Sequence, residues 1–234
     1  MNRSFEEPIC KNCNLEFNTI FKKLTQEEID FLNVHKTCAV YKKGAILYEE
    51  GNKVSGIYCI NEGILKIYKT GIEGKEQIIR FAKEGEVIGY RSVINGEHAC
   101  TSVKILEDAV LCFISTQHLY QLLKQNNDFT MDLLHVTCKE LGEANNYITD
   151  IAQKSVRERL AEILLQLKAD FGVNNDGIIN IALTREELAN IIGTATESVI
   201  RLLSEFKMER IIELYGRKIK IIDENKLKKI SNVY

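Results

Sequence analysis

Leu183-Thr-Arg-Glu-Glu-Leu-Ala-Asn-Ile-Ile-Gly193-Thr-Ala-Thr-Glu-Ser-Val-Ile-Arg-Leu-Leu203 reads as two short amphipathic helices joined by a tight turn at Gly193. Thr184 with Glu187 three residues on is a capping box, which satisfies backbone N–H groups that a helix start leaves without partners. Leu188 and Ile191, with Ala189 and Ile192 beside them, give the first helix an apolar face. The second helix starts near Thr196 and buries Val199, Leu202, Leu203 and Phe206. That leaves Thr196, Glu197, Ile200, Arg201 and Ser204 on the opposite face. Two short helices with polar groups turned outward from the second form the pattern of a DNA-binding helix-turn-helix. The same residues also suit a plain helical hairpin with a solvated outer face. The segment behind the second helix favours DNA: Ile211-Ile-Glu-Leu-Tyr-Gly-Arg-Lys-Ile-Lys-Ile-Ile222 reads as a β-hairpin turning at Tyr215-Gly216-Arg217, in the position of a wing. Arg217, Lys218 and Lys220 on that wing are placed to meet phosphates.

Working outward, Ser155 to Ala169 is a helix with Val156, Leu160, Ile163, Leu164 and Leu167 inward, and a short strand is expected at Ile178-Ile-Asn-Ile181. Before it, a long helical stretch runs from about Ser115 to Asp150, with a break near Asn126. Leu134, Leu141 and Ile148 recur every seven residues on it, and Thr137, Ala144 and Ile151 follow each by three. That is a coiled-coil seam for self-association, continuing past what a single barrel face needs covered. From Thr37 to Ser115, apolar and aromatic runs are punctuated by Gly44, Gly51, Gly63, Gly74, Gly85 and Gly96. This strand-plus-turn rhythm is that of an antiparallel barrel or jelly roll. The clearest strands are Ile57–Ile60, Ile64–Tyr68, Gln77–Phe81 and Ala109–Ile114. At the start of the chain, Leu24–Leu32 is a short helix capped by Thr25 and Glu28. The expected fold is therefore α+β. A tail and barrel domain spans 1–125, a dimerisation helix 126–153, and a winged helix-turn-helix domain 154–234.

Composition sets bounds on function. The 234 residues are 45% hydrophobic and 27% charged, ordinary for a globular protein, and no apolar run approaches membrane-spanning length. With no signal-peptide core at the N-terminus, a cytoplasmic protein without a membrane partner is expected. Net charge is only -2. Residues 154–234 nevertheless carry 14 Lys+Arg against 12 Asp+Glu, whereas 1–153 carry 17 against 21, which points to the C-terminal part as the nucleic-acid face. The four histidines, His35, His98, His118 and His135, are scattered, and no convergent metal or acid–base set supports an enzyme. The seven cysteines are expected to stay reduced in the cytosol, with Cys59 and Cys112 as small buried hydrophobes in strands.

In this order of parts the chain resembles the CRP/FNR family of bacterial transcription regulators over nearly its whole length. Three segments carry the resemblance: Gly193-Thr-Ala-Thr-Glu-Ser-Val-Ile-Arg-Leu-Leu203, the Glu62-Gly-Ile-Leu-Lys-Ile-Tyr68 turn and strand, and Lys83-Glu-Gly-Glu-Val-Ile-Gly-Tyr-Arg-Ser92 at the place of the effector cassette. The resemblance implies a homodimer reading a palindromic site in duplex DNA and working with RNA polymerase. It places the base readers on Glu197 and Arg201. Their chemistry is sound independently, because Arg is bidentate to guanine and Glu accepts from cytosine. Thr196 stands where the best-known cyclic-AMP receptor has an arginine, and Ile200, where a small residue is usual, suits a thymine methyl. Ala195 replaces the usual Ser/Thr cap, so the cap is expected to move to Thr194 with Glu197 as its partner. Phosphate contacts are assigned to Thr184, Arg185, Ser198, Arg217 and Lys218.

The same resemblance frames the input side. Its effector pocket falls on Gly89, Tyr90, Arg91, Ser92, Thr101 and Thr137. Tyr90 replaces the ribose-binding glutamate, and Gly96–Ser102 has no arginine for a cyclic phosphate. Cyclic AMP is therefore not the expected effector, and Arg91 is left either to bind another anion or to make an ordinary ion pair. Cys10, Cys13 and Cys112 match three of the four ligands of the family's iron–sulfur sensors, but Thr19 stands where the fourth would be, and a cluster normally takes four thiolates. Structural cysteines, a dithiol redox switch at Cys10/Cys13, and a metal all remain open readings, and the effector is unassigned.

Overall fold

The computed structural model describes residues 8–10 and 20–232. Cys13 and Thr19 lie outside the described residues. The chain divides into two compact units, Met1–Leu141 and Gly142–Tyr234.

In the first unit, α1 (Gln26–His35) opens on the expected capping box: Thr25 Oγ1 accepts from the Glu28 N–H and the Glu28 carboxylate accepts from the Thr25 N–H. The strands are β1 (Thr37–Tyr41), β2 (Ile46–Tyr48), β3 (Gly56–Glu62), β4 (Ile64–Thr70), β5 (Glu76–Lys83) and β6 (Val87–Ile88). After the short helix α2 (Tyr90–Asn95) come β7 (Ser102–Ile105) and β8 (Ala109–Ser115). They form two four-stranded antiparallel sheets, in the orders β1-β8-β3-β6 and β2-β7-β4-β5. This is the jelly-roll arrangement that the glycine rhythm predicts. All six punctuating glycines have positive φ, the conformation that glycine alone adopts without a Cβ penalty. Gly63 is doubly constrained, because a Cβ there would lie 2.6 Å from Ala109 Cα. Ile60, Leu65, Ile67, Ala82, Ile88, Val103, Ile105, Ala109 and Leu111 pack together between the sheets. Residues of the alternate parity on β3 and β8, such as Ile57 and Ile114, instead face a second apolar layer with Leu24, Leu32, Leu119, Leu122 and Phe129.

The predicted helical break is real. α3 (Thr116–Gln125) stops and α4 (Asn127–Gln153) starts at Asn126, whose Oδ1 accepts from the Phe129 N–H at 2.9 Å while its Nδ2 donates to the Lys23 carbonyl at 3.2 Å and Glu28 at 2.8 Å. One side chain thus caps a helix and ties it to the start of α1. Along α4 the heptad residues Leu134, Leu141, Ile148 and Ile151 are 51, 62, 65 and 42% exposed. These are four large apolar side chains on one stripe that the protomer leaves uncovered.

The second unit contains α5 (Val156–Phe171), α6 (Arg185–Ile192), α7 (Thr196–Met208), β9 (Ile212–Tyr215), β10 (Lys218–Ile221) and α8 (Glu224–Ser231). Its core is Leu160, Leu164 and Leu167 of α5, Leu188 and Ile192 of α6, and Val199, Leu202, Leu203 and Phe206 of α7, with Ile211, Ile219 and Leu227. Val156 and Ile163, expected inward, are only partly buried. The expected strand at Ile178–Ile181 does not form; the segment makes single bridges, Val173 to Ile179 and Ile178 to Lys220. Asn174 Oδ1 accepts from the N–H groups of both Asp176 and Ile178, each at 3.0 Å, so a side chain takes the first backbone donor of the expected strand. Phe206 is fully buried, and Phe206→Ala is expected to destabilise this unit by about 3–5 kcal/mol. A shift of the urea midpoint too small for 1 kcal/mol would contradict that packing.

Candidate functional site

The helix-turn-helix is held by backbone chemistry at both ends of α6. At its start, Thr184 Oγ1 accepts from the Glu187 N–H at 3.0 Å, and Glu187 Oε2 accepts from the Thr184 N–H at 2.7 Å. At its end, Gly193 takes φ 74°, and both its N–H and that of Thr194 return to the Ala189 carbonyl. The orphan carbonyls of Ile191 and Ile192 accept from Tyr147 Oη at 3.1 Å and Arg159 Nε at 3.0 Å. The turn angle between α6 and α7 is therefore fixed by four residues rather than by packing alone.

On α7, Glu197, Ile200, Arg201 and Ser204 are exposed and Thr196 and Ser198 are partly so, while the predicted inner face is buried. The structure corrects the expected cap. Ala195 is the N-cap, and no side chain caps the helix, Thr194 included. Glu197 therefore has no capping duty and stands outward in the first turn, where its charge also suits the helix dipole. Arg201 is two-thirds exposed and bonded to Glu205 at 2.7 Å. Glu205 also accepts from Arg157 at 3.1 Å, and Arg157 lies 4.7 Å over the Phe206 ring and pairs with Glu209 at 2.6 Å. Arg201 is thus aimed by a carboxylate that is itself anchored to the core.

The wing forms as predicted, with Gly216 at φ 63° in the turn and Arg217 and Lys218 exposed. Arg185, assigned to a phosphate, lies where α6 meets the wing turn. It is half-buried, its Nη2 donates to the Gly216 carbonyl at 2.9 Å, its Nη1 is a buried donor without a partner, and burial lowers its pKa. That bond ties the wing turn to the start of α6.

In the first unit, the residues expected to form the effector pocket are only partly gathered. Tyr90 and Ser92 are buried, and Tyr90 Oη, without a hydrogen bond of good geometry, faces Glu140 and Thr137 of α4. Burial and the Glu140 carboxylate push the Tyr90 phenol up. Thr137 spends its hydroxyl on the Leu133 carbonyl at 2.8 Å. Arg91, by contrast, is exposed on α2. The inward arginine is Arg80, registered across from Ile67 on the face of β5 that carries the buried Ala82. It bonds Glu86 at 2.5 Å and Glu140 at 2.8 Å. Burial opposes its charge, and the Glu86 and Glu140 carboxylates more than offset this, so its pKa is raised. A charged residue at an inward position of the Gln77–Phe81 alternation was the available signal for it.

Residues 39–126 match the family model described as a cyclic nucleotide-binding domain, and residues 158–230 match a Crp-like helix-turn-helix domain. The transcriptional activator protein Anr of Pseudomonas aeruginosa is 27% identical over 228 residues, covering 96% of this chain and 93% of that protein. Anr of Pseudomonas protegens is 26% identical over 224 residues, with 94% and 91% covered. The chain belongs to the CRP/FNR family. The solved structure of a CRP/FNR-family transcriptional regulator from Eubacterium rectale has the same fold, with a TM-score of 0.75 at 19% identity, covering 93% of this chain and 99% of that one.

For a CRP/FNR protein, this chain holds its cysteines in an unexpected way. Cys38 and Cys112 form a disulfide across β1 and β8, which corrects the expectation that all seven stay reduced and that Cys112 is a plain buried hydrophobe. Cys10 lines a small cavity together with Cys59 and Cys112. No group of three or more His, Cys, Asp or Glu side chains able to hold a metal is present among the described residues. The histidines are not all scattered either: His35 and His118 meet edge to face at 4.4 Å, with Phe31 stacked on His35 and edge-on to His118. Burial, then His35, lowers the His118 pKa.

Proposed function

We propose that this DNA-binding transcription regulator of the CRP/FNR family acts as a cytoplasmic homodimer whose two α7 helices enter successive major grooves of a palindromic site. Glu197 and Arg201 read base edges, with Thr196 and Ile200 completing the surface. Thr184, Ser198, Arg217 and Lys218 meet phosphates, with Arg185 supporting the wing behind them. RNA polymerase is its partner at promoters. The activity is binding and regulation, not enzymatic turnover.

The observation that carries this reading is the outer face of α7. It presents a carboxylate with no capping duty and a guanidinium held by an anchored glutamate, four residues apart on a helix whose opposite face is the core. A merely solvated hairpin has no need of the relay Arg201–Glu205–Arg157.

The barrel is the input domain. Cyclic AMP does not fit as its effector: Arg80 is already neutralised by Glu86 and Glu140, and Gly96–Ser102 supplies no second guanidinium for a phosphodiester. Selecting bound sequences from a random duplex pool tests the whole reading. The expected product is an inverted repeat whose half-sites contain G·C pairs and sit about one helical turn apart, ~34–36 Å, unchanged when cyclic AMP is added. Recovery of no common sequence overturns specific reading, and a cyclic-AMP requirement overturns the effector assignment.

A further inference from the structure

Three cysteines that are far apart in the chain lie side by side on one sheet. In the order β1-β8-β3, Cys38 is registered directly across from Cys112, and Cys112 directly across from Cys59. Directly opposed residues of an antiparallel pair share a face and sit about 4.5–5.5 Å apart. The three thus form a row with Cys112 in the middle. Their face is the one turned away from the interior of the jelly roll: Ile60 and Leu111, the chain neighbours of Cys59 and Cys112, pack inside, while Ile57 and Ile114 pack outside. On that outer face a cavity of about 40 Å³ is lined by Cys10, Cys59, Cys112 and Lys36 among apolar side chains. Lys36 Nζ lies 3.3 Å from Cys10 Sγ.

Thiol–disulfide exchange proceeds by a thiolate entering at one sulfur of a disulfide while the other sulfur leaves. A row with the shared sulfur in the centre provides that approach, because Cys59 meets Cys112 from the side opposite Cys38. We propose that Cys38, Cys112 and Cys59 form a thiol–disulfide exchange site that reacts with hydroperoxides. The Cys112 thiolate attacks the terminal oxygen of a hydroperoxide, the O–O bond breaks, and one proton from solvent completes a Cys112 sulfenic acid and an alcohol, or water if the oxidant is hydrogen peroxide. The Cys38 thiol then attacks the sulfenic sulfur, water leaves, and the Cys38–Cys112 bond forms. In the exchange step the Cys59 thiolate attacks Cys112 Sγ, the Cys59–Cys112 bond forms, and Cys38 departs as a thiolate with no net transfer of electrons. β1 is an edge strand of its sheet, so the exchange frees an edge strand and moves the link to an inner strand pair. Disulfides of cytosolic proteins are typically transient and redox-sensing. The site deepens the regulator reading by naming a signal for the barrel, and it rests on that reading for its biological sense.

The test uses the full chain, reduced, exchanged into buffer without thiols, treated with stoichiometric hydrogen peroxide, alkylated and mapped without reduction by mass spectrometry. Wild type is expected to yield the Cys38–Cys112 linkage together with a fraction of Cys59–Cys112 produced by the exchange. Cys38→Ser is expected to yield Cys59–Cys112 instead, and Cys59→Ser to confine the bond to Cys38–Cys112. Absence of a Cys59–Cys112 linkage in Cys38→Ser protein that keeps the wild-type circular dichroism spectrum overturns the proposal. So does stoichiometric iron or zinc in anaerobically purified wild type that is lost in both serine variants, since the sulfurs then serve a metal. DNA binding is scored separately: its absence together with correct linkages overturns the regulator reading and leaves the exchange site standing.

Discussion

Arg201→Ala is expected to abolish discrimination between a selected site and random DNA while leaving the protein folded and dimeric. A bidentate arginine–guanine contact contributes ~1–3 kcal/mol of discrimination, so the two copies in a dimer contribute ~2–6 kcal/mol, roughly 30-fold to 10⁴-fold in affinity. The fold has little stake in this side chain. It is 67% exposed, alanine is the best helix former, and Glu205 keeps its bond to Arg157 when Arg201 is gone. A contact to a base and not to a phosphate leaves the salt dependence of the residual binding little changed. Fluorescence anisotropy on the selected duplex and on a scrambled one, each over a salt series, reads both quantities. Equal loss on both duplexes would show that Arg201 serves the backbone and does not read sequence.

The second large effect is expected at the helix stripe. Leu141→Glu combined with Ile148→Glu should convert a dimer into a folded monomer and weaken binding to the palindrome by about 10²–10⁴-fold, because each half-site then loses the effective concentration supplied by its tethered neighbour. Both side chains are more than 60% exposed in the protomer, and glutamate is a good helix former, so the protomer itself is nearly indifferent to the change. In a coiled-coil seam, by contrast, four carboxylates would be brought together across the axis. Sedimentation equilibrium measures the mass directly. A double variant that stays dimeric would mean that the stripe is not the seam, whatever happens to DNA affinity.

The helix-turn-helix, the glycine-punctuated jelly roll, the break at Asn126 and the wing were legible in the chain because each is written in short-range chemistry. Thr184 caps through Glu187 three residues away, Gly193 ends α6 by adopting a left-handed φ, and strand faces alternate with period two. Where local rules failed, a local competitor was responsible. Asn174 took the Ile178 N–H, the first donor of the expected Ile178–Ile181 strand, and the helix start at Ala195 went without any side-chain cap. α8 carries an ordinary N-cap signal of its own, with Asp223 accepting from the Lys226 N–H, but it is eight residues long and mostly polar, with Leu227 and Ile230 its large apolar side chains.

Other features belong to the tertiary fold alone. Arg80 meets Glu140 across 60 residues, Arg185 meets the wing turn across 31, and Cys38 is bonded to Cys112 across 74. His35 and His118 touch although nothing near either one announces it. Strand periodicity says which face a residue takes, but not which strand will lie beside it. That is set by the sheet order, and β1-β8-β3 brings together strands from the start, the end and the middle of the barrel. Leu183–Leu203 together with the wing behind it was therefore enough to recognise a DNA-binding unit. The cysteine row and the buried ion-pair network came into view only when long-range strand pairing had placed them.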